Sequence, residues 1–154
     1  PQLHPADPIK RARNRAWTDF VPDFSKGLSA AYRRETVAEM EAGRADAEKV
    51  LAKLEEAIAN ERGNDGPYFN GDKLCLVDAA YAPFLQRFMI AEAKLNTGLL
   101  DGFPLVKSWT KALLAIDLVT GSVAETFVTE FKASMTRYGY HIGELFAQEA
   151  TAAE

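Results

Sequence analysis

The residues best placed to do chemistry in this chain are a thiol and a carboxylate three positions apart, Cys75 and Asp78. A thiol at a helix N-terminus has a lowered pKa and is more readily the nucleophilic thiolate. The same spacing is that of a capping box. There the first side chain accepts from an amide in the first turn, and the carboxylate accepts from the cap amide. Asp78 suits the second role and the positive end of the helix dipole. Cys75 suits the first role poorly, because sulfur is a weak acceptor. Two readings of Cys75 therefore stand: a reactive thiol, or a buried cap position, as most free cysteines are buried. His4 and His141 are far apart and lack Cys or acidic partners at ligand spacing, so no metal site is expected.

The elements that must position these groups are helices. Strand signals are nearly absent: Asp65-Gly66 and Asn70-Gly71 are not flanked by alternating apolar residues. Asp7-Pro8 is a natural helix start, with Asp as cap and Pro in the first turn. A first helix is expected from Pro8 to Arg34, with Ala12, Ala16, Phe20, Phe24 and Leu28 on one stripe. Pro22 should kink or split it near Thr18–Phe20. A second helix is expected from Glu35 to Arg62, with Val37, Met40, Ala47, Val50, Leu51, Leu54 and Ile58 inward. Gly63 to Pro67 ends it.

The third helix, Leu76 to Leu95, is apolar almost all round, the pattern of a central buried helix. A fourth is expected from Pro104 to Val119 with Val106, Trp109, Leu113 and Ile116 inward. A fifth should run from Val123 to Tyr138, capped by Ser122, followed by a short helix near Ile142 to Glu149 and a frayed tail. The fold class is all-α, a bundle of five to six helices in one domain over residues 1–154, with residues 1–7 as a lead-in.

A length of 154 residues accommodates one domain with a real core. With 22 acidic and 18 basic residues the net charge is −4, which argues against nucleic acid as the main partner. No apolar run is long enough to cross a membrane, and no signal peptide is visible. One cysteine excludes an internal disulfide framework and fits a reducing cytoplasm.

Several segments together resemble the C-terminal helical domain of the cytosolic glutathione transferases, bacterial type. They are Phe69-Asn70-Gly71-Asp72, the box at Cys75 to Asp78, and Ala79-Ala80-Tyr81-Ala82-Pro83. Leu3 to Pro8 with Arg11-Ala12 and Trp17 is similar to that family's interdomain linker and first helix, and Phe103-Pro104 with Trp109 and Leu113 to a later one. The family's box begins with Ser or Thr, so Cys75 is a departure at the cap itself.

The resemblance implies that thiol-activating chemistry lies on a thioredoxin-like N-terminal domain not contained in these residues. In that context glutathione is the co-substrate and a small electrophile its partner, in a homodimer. The isolated chain should not conjugate. The alternative is a non-catalytic protein-interaction or ligand-binding module. By the same resemblance Asp19 reaches the glutathione amino group, and Ser25 and Lys26 line the cleft where the family carries His-Lys. Trp17, Phe20 and Phe24 wall the electrophile pocket, against the plainer reading of these three as core. Lys10, Arg11, Arg13 and Arg15 either dock to another domain or subunit or form a solvated face. The first and third helices should also expose apolar area near Trp17 and Phe84.

Overall fold

The computed structural model describes residues 3–152, and all regular structure among them is helical. Pro1, Gln2 and the last two residues of the expected tail lie outside the described residues. Helix α1 spans Pro8–Asp19 and α2 spans Val21–Ser29, so Pro22 does split the first helix. Asp7 caps α1 through Oδ1, which accepts from the Lys10 amide at 2.8 Å. The stripe expected across both helices does not hold. Ala12 and Ala16 are exposed, and the residue of α1 that is buried is Asn14. A four-residue period drifts around a helix, and the break at Phe20 resets its phase.

Helix α3, Val37–Glu61, opens on a capping box and starts two residues later than expected. The Glu39 amide donates to Thr36 Oγ1 at 3.2 Å, and the Thr36 amide to Glu39 Oε2 at 3.1 Å. Met40, Ala47, Leu51, Leu54 and Ile58 face inward, whereas Val37 in the first turn is 48% exposed. Gly43 lets α3 meet α2, since a Cβ there would run into the Ala30 carbonyl.

Helix α4, Leu76–Leu95, lies at the centre with Val77, Tyr81, Leu85, Phe88 and Ala91 buried. Its end is marked by Asn96 in the left-handed region, φ 51°. Helix α5, Pro104–Leu114, has no cap of its own. Glu55 of α3 supplies one: its carboxylate accepts from the Leu105 amide at 2.9 Å and the Val106 amide at 2.8 Å.

The fourth expected helix stops at Leu114, and a single turn, α6 (Asp117–Thr120), follows. Helix α7 spans Phe127–Arg137, four residues later than expected. Ser122 does not cap it, because its hydroxyl turns back to the Val119 carbonyl at 2.7 Å. Helix α8, His141–Ala152, is longer than the expected short helix. Its first amide donates to the Arg34 carbonyl at 2.8 Å, which ties the C-terminal part to the connection between α2 and α3.

The core is aromatic at its centre. Phe24 and Tyr81 lie 4.8 Å apart by ring centroid, Tyr81 and Trp109 5.7 Å, and Phe69 and Trp109 5.9 Å. Offsets and tilts of this kind add about 0.5–1.5 kcal/mol per pair beyond burial.

Candidate functional site

The Cys75–Asp78 box proves to be the organising point of the core. Asp78 is fully buried, yet its carboxylate has three donors. Oδ2 accepts from the Cys75 amide at 2.7 Å, and Oδ1 from the Phe69 amide at 2.9 Å and Trp109 Nε1 at 2.7 Å. A buried charge is tolerated when its hydrogen bonds are made. The box thus joins the loop before α4, the start of α4 and the middle of α5.

Cys75 is 5% exposed, and its thiol is pushed up to about 12, first by burial and then by the Asp78 charge. It is neutral at physiological pH and no nucleophile. Burial likewise raises the Tyr81 phenol, which donates to the Trp17 carbonyl at 2.7 Å and so ties α4 to the end of α1.

The groups expected to form one site are dispersed. Phe24 is 0% exposed and belongs to the core, presenting no face to a ligand. Trp17 and Phe20 are half-buried and meet edge to face, 5.8 Å between centroids, with the Lys53 ammonium 5.1 Å from the Phe20 ring. Asp19 and Lys26 are exposed. Ser25, half-buried on α2, lines a cleft.

That cleft, about 360 Å³, lies between α2 and the middle of α4. Leu28, Pro83 and Phe84 give it apolar walls, Ser25, Ser29 and Tyr32 carry hydroxyls, and Arg33 and Arg87 supply charge. Burial raises the Tyr32 phenol, an effect that Arg33 and Arg87 only partly offset, so it stays protonated at neutral pH. Nothing in the sequence pattern singles out the two arginines, which come from separate elements. A further groove of about 370 Å³ runs beside it, lined by Leu3, Leu74, Ala79, Ala82, Pro83 and Leu118 among others. Leu118 there is 76% exposed. The Leu76 amide donates to the Leu3 carbonyl at 2.9 Å, which fixes the lead-in along this groove. Among the described residues no helix is long and apolar enough to cross a membrane.

Comparison with known proteins bears on this geometry. Residues 37–112 match the family model for the glutathione S-transferase C-terminal domain. The chain is 32% identical over 137 residues to glutathione S-transferase U19 of Arabidopsis thaliana, covering 86% of this chain and 59% of that protein. It is 30% identical to the probable glutathione S-transferase parC of Nicotiana tabacum, covering 81% of this chain and 54% of the relative. The chain therefore spans little more than half the length of these relatives. Among solved structures, glutathione transferase Omega 3C from Trametes versicolor superposes with a TM-score of 0.71 at 25% identity, over 89% of this chain and 57% of that one. The two relatives are plant proteins, so the bacterial part of the expectation has no support from them.

Proposed function

Since the chain carries the glutathione S-transferase C-terminal domain, we propose that it is the substrate-side part of a glutathione transferase-like protein. The reaction is attack of the glutathione thiolate on a small electrophile: the carbon–sulfur bond forms, the leaving group departs with its electron pair, and the thiol proton goes to solvent. The observation that carries this reading is the cleft between α2 and α4, with apolar walls at Leu28, Pro83 and Phe84 and polar groups at its edge. Ligand sites are mostly of this composition.

The chain's own thiol and its buried phenols cannot activate glutathione. The Cys75 thiol, pushed up to about 12, stays protonated at neutral pH, and the Tyr32 and Tyr81 phenols are both raised. Activation is accordingly assigned to a thioredoxin-like domain outside these residues. The apolar groove at Leu3, Ala82 and Leu118 is its docking surface. Asp19 and Lys26, exposed on α1 and α2, are the groups available to the amino and carboxylate ends of glutathione. Trp17 and Phe20 are assigned to the side of the electrophile. Homodimer formation and a cytoplasmic setting belong to the same reading.

The test is an assay with glutathione and 1-chloro-2,4-dinitrobenzene. The 154-residue chain alone should show no conjugation above background. The same chain joined through its lead-in to a thioredoxin-like domain should conjugate. Turnover by the chain alone would overturn the assignment.

A further inference from the structure

The cleft between α2 and α4 holds two arginines, and neither has an acid beside it. Acids outnumber bases in this chain by 22 to 18. Yet among the described residues every ion pair involves other cations, and no carboxylate lies within ion-pairing distance of Arg33 or Arg87. Both side chains are only half-exposed. Arg33 Nε is buried and has no hydrogen-bond partner.

Each guanidinium is instead held by neutral groups. Arg87 Nη1 donates to the Pro83 carbonyl at 2.8 Å, and its Cζ lies 4.9 Å from the centroid of the Phe127 ring. Arg33 Cζ lies 5.5 Å from the centroid of the Tyr32 ring. Carbonyls and ring faces orient a guanidinium and leave its charge in place. Two cations without an acidic partner beside apolar walls leave their donors open to an anion of matching geometry. The planar guanidinium favours carboxylate through paired N–H donors.

We propose that the cleft takes an electrophile bearing a carboxylate on a small aromatic or apolar body. The carboxylate sits at Arg33 and Arg87, and the body lies against Leu28, Pro83 and Phe84. The proposal rests on reading this cleft as the electrophile side, but it is measured by binding alone, without conjugation. A failure of the transferase assay therefore leaves it standing, and its own failure leaves the transferase reading standing.

The experiment is an NMR titration of the 154-residue chain with 4-chloro-3-nitrobenzoate and, separately, its neutral counterpart 1-chloro-2-nitrobenzene. The benzoate should bind at least about ten-fold more tightly, the scale of one charge-assisted hydrogen bond. Amide shifts should centre on Ser25 and Phe84. Arg33→Gln and Arg87→Gln should each remove most of that preference, and Arg87→Lys should keep part of it. Far-UV circular dichroism verifies that each variant is folded, and Arg87→Lys preserves the charge should the glutamine variant unfold. Added salt should weaken the benzoate and not the neutral compound. Equal affinity of the two compounds would overturn the proposal, as would a preference that survives in Arg87→Lys and Arg33→Gln unchanged. Displacement of the benzoate by equimolar glutathione would overturn the assignment to the electrophile.

Discussion

Trp109 Nε1 donates to Asp78 Oδ1 at 2.7 Å, and both residues are 0% exposed. The indole, the Phe69 amide and the Cys75 amide together take up a buried carboxylate that has no cation in hydrogen-bond contact. Asp78→Asn keeps the shape but turns an acceptor into a donor that faces another N–H. A loss of about 3 kcal/mol is expected. Urea unfolding followed by Trp fluorescence measures it, and an unchanged midpoint would show the carboxylate to be dispensable.

The thiol at the cap gives a pH prediction. The folded pKa of Cys75, about 12, lies above its ordinary value of 9.0. The unfolded chain therefore loses this proton first. The stabilisation is complete below pH 9 and is lost as pH rises from 9 through 12. Cys75→Ser removes that loss and supplies a better cap, worth about 0.5–1 kcal/mol at pH 7. The gap between variant and wild type should widen above pH 9, although Tyr32 and Tyr81, also raised, make both chains less stable there. A gap that stays constant from pH 7 to 11 would contradict this account.

Gly43 marks where α3 presses on α2. A methyl group there would drive into the Ala30 carbonyl, which is backbone and cannot rotate away. Gly43→Ala gains helix propensity of about 1 kcal/mol but forces the helices apart. A net destabilisation of about 1–3 kcal/mol is expected from overpacking. Thermal unfolding decides between the two, since a raised Tm would mean that propensity wins.

Glu55 caps α5 from another helix. Glu55→Ala leaves the Leu105 and Val106 amides without their acceptor. The expected cost is about 1–2 kcal/mol. Hydrogen exchange should locate it, with faster exchange in the first turn of α5 and little change in α8.

How much of this was legible beforehand depends on how local the signal is. The bounds of α4 follow from Cys75-x-x-Asp78 and the apolar run behind it, and the split at Pro22 from one missing amide. Ser122 misled because a serine hydroxyl serves equally to close the preceding turn on Val119. Ala12 and Ala16 misled because a periodicity was carried across a helix break. The caps that Asp78 and Glu55 give to distant segments leave no mark in local spacing. The same holds for the cleft: Ser25 stood out through its neighbours in sequence, whereas Arg33 and Arg87 meet only in three dimensions.

The Asp78 network also bears on how the chain assembles. Its donors lie between residues 69 and 109, so it closes over segments much shorter than the whole chain. Closing short loops costs little chain entropy, so these contacts can form before the one that ties His141 of α8 back to Arg34. Trp109→Phe, which deletes one donor and keeps an aromatic ring, should then slow refolding more than it speeds unfolding. A stopped-flow chevron in which only the unfolding limb moves would place the network after the rate-limiting step. If the refolding limb moves, the box at Cys75 and Asp78 is a nucleus around which the remaining helices condense.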